Sequence, residues 1–130
     1  MCRKRGFSAI SSVTRAVKSN SLREYIVWLP MLKSDNRDAA VEASAEFEDS
    51  RIRYMWDEDK IIGEKFSQTL KLDRTAWDVY LLYNKGSVWK KDEPTVPDFW
   101  MHQLGGLEDI APTLDSVVLR WKVEEAIASK

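Results

Sequence analysis

YIVWLP, residues 25–30, is the stretch on which the reading of this chain turns. Five consecutive β-prone apolar residues stop at Pro30, the pattern of a strand buried on both faces in a parallel sheet. Working outward, IRYMW (52–56) is a second short strand and WDVYLLY (77–83) a third. NKG (84–86) is a tight turn that leads into SVW (87–89), which together signal a hairpin. Helical periods fill the gaps. Ser34 or Asp35 can cap a helix over 36–47 whose Ala39, Ala40, Ala43 and Phe47 suit close packing on a sheet. Asp57 can cap another over 59–70, with Ile61, Ile62, Phe66 and Leu70 inward.

Upstream, Phe7, Ile10, Val13, Thr14 and Val17 recur at three- and four-residue steps, so residues 3–18 form an amphipathic helix that SNS (19–21) ends. Downstream, KKDEPTVPDFW (90–100) opens a polar, proline-bearing loop that runs to 106. A last helix over 113–128 is expected to turn Leu114, Val117, Val118 and Trp121 inward. The order αβαβαββα implies crossovers onto one mixed sheet, an α/β sandwich formed by a single domain over 1–130 with its core at 24–90.

The totals exclude more than they identify. A chain of 130 residues with 44% apolar and 32% charged residues and a net charge of −1 is ordinary for a globular domain. That balance gives no basic excess of the kind nucleic-acid binding needs. No apolar run approaches the roughly 20 residues that span a bilayer, and no signal peptide is visible, so the compartment stays open. A single cysteine excludes an internal disulfide framework and a four-cysteine zinc site. Residues 1–23 carry Arg3, Lys4, Arg5, Arg15, Lys18 and Arg23 with no acid before Glu24. Their composition is that of a transit peptide, or of a solvated basic helix face whose other side packs on the fold.

Few residues offer chemistry. His102 is the sole histidine, and FWMHQLGG around it lacks metal-ligand spacing; a histidine hydrogen-bonded within an aromatic loop explains it. WDEDK (56–60) is dense in carboxylates but lacks the glycine and alternating ligands of a calcium loop, so capping by Asp57 accounts for it. No cofactor or metal is therefore called for. Cys2 at a helix N-terminus, beside Arg3, Lys4 and Arg5, sits where a thiolate is favoured. Six tryptophans are many for this length and serve either a core or a partner surface.

From Tyr25 to Trp89 the chain resembles the peroxiredoxin-like and thiol-reductase-like branch of the thioredoxin superfamily. VWLPML, WDVYLLY and FWMHQL look like marks of an uncharacterised subgroup of that branch, and CRKRGFSAISSVTRAV sits where the family's active-site helix begins. The resemblance implies a thioredoxin-like α/β/α sandwich with a mixed sheet, and it places Cys2 at the second cysteine of C-x-x-C, with Met1 inside the motif. It further implies a central strand, between the counterparts of 25–29 and 77–83, that this chain does not encode, so that the fold is N-terminally incomplete. Where the family has a cis-proline this chain has Thr75-Ala76, and a non-proline cis bond would cost roughly 2.5–4 kcal/mol.

Two functions follow from that resemblance. One is thiol–disulfide or peroxide redox chemistry with Cys2 as the remaining thiol, its partner a protein or small thiol held by a mixed disulfide. The other is a non-catalytic module that binds through a tryptophan-rich edge near Cys2, with Trp56, Ala76, Trp77, Trp100 and His102 as candidate binding residues. Core filling by the tryptophans is the competing account. An oligomer is expected if a central strand is missing.

Overall fold

The computed structural model describes residues 2–129, with side chains from residue 5 onward. Its elements are α1 (Cys2–Ala16), β1 (Glu24–Trp28), α2 (Arg37–Ser44), β2 (Ile52–Trp56), α3 (Ile61–Leu70), β3 (Val79–Leu82), β4 (Phe99–His102) and α4 (Ser116–Ala128). This is the αβαβαββα order that the hydrophobic pattern implies, in a mixed α/β protein. No helix among the described residues is long and apolar enough to cross a membrane.

Strand pairing departs from the expected single mixed sheet. β1 and β2 form one parallel pair, and β3 and β4 form a separate antiparallel pair. The chain divides accordingly into two compact units, Leu22–Trp77 and Met1–Ser21 with Asp78–Lys130.

In the Leu22–Trp77 unit the parallel register runs from Glu24 opposite Ile52 to Trp28 opposite Trp56. YIVWL is not buried on both faces: Tyr25 is 63% and Met55 46% exposed, while Ile52 on the other face is buried. α2 starts at Asn36, whose Oδ1 accepts from the Ala39 N–H at 2.8 Å. Asp35 is occupied instead with the Leu32 N–H. The helix ends before Phe47 because its last turn tightens, and Tyr54 Oη donates to the Phe47 carbonyl at 2.5 Å.

Asp57 caps α3 as its position implies. Its carboxylate accepts from the N–H groups of Ile61, Ile62 and Gly63, three of the donors that a helix start leaves unpaired. Lys60 takes a left-handed conformation, φ 58°, between the cap and the helix. The buried face of α3 is Gly63, Ser67 and Leu70, whereas Ile61 is 54% exposed. Gly63 is there for space: its N–H meets Asp57, and its carbonyl accepts from the Ala76 N–H at 3.0 Å.

In the other unit the expected hairpin partner of β3 is corrected. SVW (87–89) does not pair with it; residues 84–93 are exposed, and β4 at 99–102 takes the place. Burial decides this. Val88 is 70% exposed, while Met101 and His102 in β4 are 1% and 0% exposed, so pairing with FWMH removes far more surface from water. α1 packs against α4 and passes close to Tyr80 at Gly6, where a Cβ would lie 2.0 Å from Tyr80 Oη. α4 is capped by Asp115, which accepts from Val117 and Val118. Its buried residues are Leu119 and Val123, and the expected inward positions Val117 and Trp121 are 49% and 57% exposed.

Gly63 gives a direct test of packing in the first unit. A Cβ there would stand 2.5 Å from Leu29 Cδ2, 2.8 Å from Thr75 Cγ2 and 3.2 Å from the Ala76 carbonyl. Alanine gains about 1 kcal/mol in helix propensity, while overpacking costs typically 1–3 kcal/mol. Gly63→Ala is expected to lower stability by about 1 kcal/mol in urea denaturation; a stabilised variant would show that the contact with Leu29 and Thr75 is loose.

Candidate binding groove and polar anchors

The two strands of the parallel pair both end in tryptophan, and the register sets Trp28 and Trp56 side by side at the carboxyl end. That end of a parallel sheet is where ligands of open α/β folds bind. A groove of about 360 Å³ lies there, lined chiefly by Trp28, Trp56, Tyr54, Met55, Val41 and Arg37. Trp28 is fixed in place: its Nε1–H donates to Ser44 Oγ at 2.8 Å, and that hydroxyl donates on to the Ala40 carbonyl at 2.7 Å. The Trp56 Nε1 is buried and meets no acceptor among the described residues. Such an orphan donor costs roughly 1–3 kcal/mol.

The electrostatics of this unit come from the acids around Tyr54 and Arg51. Burial, with Glu24, Asp49 and Glu48 nearby, pushes the Tyr54 phenol above its ordinary range. Asp49 takes both Arg51 Nε and Nη2 at 3.0 Å and holds the guanidinium firmly charged.

The residues expected to share one site fall in different units of the chain. Trp56, Ala76 and Trp77 belong to the Leu22–Trp77 unit; Cys2, Trp100 and His102 belong to the other. Ala76 is buried and Trp77 half-buried, just ahead of β3. The Thr75–Ala76 bond is trans. Cys2 is the first residue of α1, and its side chain lies outside the described residues. Trp28 is the lining residue that the sequence reading passes over. The signal for it was present, since YIVW and IRYMW end alike when aligned as parallel neighbours.

His102 is completely buried, and each of its polar atoms is used. Nδ1 accepts from the Leu104 N–H at 3.0 Å, so the proton lies on Nε2, which faces the Leu107 and Ala111 carbonyls at 3.1 and 2.8 Å. Its backbone joins in, receiving the Leu114 N–H and donating to the Pro112 carbonyl. Trp100 leans on the imidazole with ring centres 5.7 Å apart. The histidine thus pins loop 103–114 to β4. No group of three His, Cys, Asp or Glu side chains among the described residues is arranged to hold a metal ion.

Comparison with known proteins adds no name to this geometry: no family model, curated protein or solved structure matches the chain.

Two predictions concern the polar anchors. His102→Ala leaves three backbone groups without their partner and opens a void, so it is expected to cost about 3 kcal/mol in chemical denaturation; nitrogen NMR of the wild type should show the neutral Nε2–H tautomer. Tyr83 donates to the Thr95 carbonyl at 2.5 Å, and burial, then Asp98, pushes its phenol up to about 12. An unfolded tyrosine titrates near about 10, so above that pH the unfolded chain loses this proton first. The stability it contributes is full below about pH 10 and lost as pH rises through about 12. Absorbance titration should show a late-ionising tyrosine that Tyr83→Phe removes.

Proposed function

We propose that this chain is a thioredoxin-like α/β domain that acts as a binding module, taking an apolar side chain of a partner protein at the tryptophan-bearing end of β1 and β2. The observation that carries the reading is the adjacency of Trp28 and Trp56. Two large rigid rings stand at the carboxyl end of parallel strands, bordered by the exposed Val41 and Met55. Aromatic anchors in a desolvated setting supply most of the energy of protein recognition.

The thioredoxin-like part of the reading draws support from the strand pairing. In that family a central strand lies between the counterparts of β1 and β3. Here β1 pairs with β2 alone and β3 with β4 alone, the arrangement left when the central strand is not among these residues. Fold alone does not bring activity with it, so binding is argued from the groove.

Redox chemistry at Cys2 is the second reading. α1 begins at Cys2 and has no acid in its first turn, a setting that favours a thiolate. The single thiol restricts this chemistry to mixed disulfides, because no intramolecular disulfide can close.

The naphthalene sulfonate dye ANS, apolar and anionic, is a suitable probe of the groove. Its fluorescence should saturate with the folded protein, and Trp28→Ala and Trp56→Ala should each weaken binding about tenfold, or 1.4 kcal/mol. Each variant must keep a cooperative urea transition. Unchanged binding in both would remove the groove from consideration. Rapid alkylation of Cys2 by iodoacetamide near pH 6, together with partner capture lost in Cys2→Ser, would move the redox reading ahead.

A further inference from the structure

We infer that the outer edge of β1 pairs with the same edge of a second copy of this chain, joining two parallel pairs into one four-stranded sheet. The inference does not rest on the proposed function. It comes from where the backbone groups of β1 point. In the parallel register, the Glu24 N–H reaches the Arg51 carbonyl at 2.9 Å and the Trp28 carbonyl receives the Asp57 N–H at 2.9 Å. Ladder bonds of a parallel strand use alternate residues, so Glu24, Ile26 and Trp28 serve β2. The N–H and C=O groups of Tyr25 and Val27 therefore face the other way, and no described residue pairs with them.

An open edge of this kind is normally blunted by an inward charge, a lysine, a proline or a bulge. β1 has none of these between Tyr25 and Leu29; the first break is Pro30. The run is β-prone, apolar and uncharged, the composition that adds strands most readily. The β4 edge, by contrast, is closed by the bridge between His102 and Thr113. The free edge of β3 is cut short by Asp78, held at φ 53° just before the strand.

A second copy fits because the edge is complementary to itself. Antiparallel pairing about a two-fold axis at Ile26 sets Tyr25 of each copy against Val27 of the other, and each such pair exchanges two N–H···O bonds. The same register sets Glu24 against Trp28, so no like charges meet. Tyr25, exposed on one face of the pair, gains Val27 of the other copy as an apolar neighbour on that face.

The test is sedimentation velocity of the full 130-residue chain under reducing conditions, with hydrogen exchange alongside. The expected result is a dimer at about 100 µM that dissociates towards about 1 µM, with the Tyr25 and Val27 amides protected only in the dimer. Val27→Pro removes an edge donor without touching the β1–β2 ladder and should weaken the dimer at least about tenfold. Tyr25→Lys, at a side chain already 63% exposed, keeps the fold and should do the same. A chain that stays monomeric at about 100 µM, or dimers unaffected by both substitutions, would overturn the assignment. So would association that survives both substitutions but disappears in Cys2→Ser.

Discussion

A strand satisfies its backbone only through its neighbours, and each strand of this protein has one strand neighbour. That constraint shapes the rest of the structure. β1 and β2 are parallel and need a crossover, which α2 supplies; β3 and β4 are antiparallel yet are joined by a connection far longer than a hairpin turn. Two-stranded sheets are marginal alone, so side-chain anchors carry much of the order. Asp57 secures α3 to the end of β2, and His102 secures loop 103–114 to β4.

The anchors differ in kind from catalytic groups. A carboxylate that already accepts three backbone N–H groups and an imidazole engaged at both nitrogens are committed to holding the backbone. What remains open on the Leu22–Trp77 unit is aromatic and apolar surface, together with the outer edge of β1. These features suit recognition, and they lie together on the same short parallel pair, the groove at its end and the free groups along its side.

Much of the local structure was legible in sequence. The element order followed from hydrophobic period, and Asp57 as a cap followed from its place before an apolar helix. That His102 is hydrogen-bonded was readable, because FWMHQLGG has no metal-ligand spacing, but its place in a strand rather than a loop was not. Pairing was less legible. The turn at NKG is a real local signal, but SVW offers too little surface to bury, and FWMH outcompetes it from a distance in sequence. Period gave α4 an inward stripe of Leu114, Val117, Val118 and Trp121, but packing buries Leu119 and Val123 and leaves Val117 and Trp121 exposed.

Sequence by itself determined α1–α4 and β1–β3, since periodicity, caps and turn residues act within a few positions; β4 lies in a stretch that reads as loop. It also set the supply of strands and the lack of any charge or proline along YIVWL. Only the tertiary structure decided who pairs with whom, because pairing depends on surface buried between segments distant in the chain. For the same reason it alone revealed Trp28 beside Trp56: two tryptophans separated by a helix become neighbours when a parallel register aligns the ends of their strands.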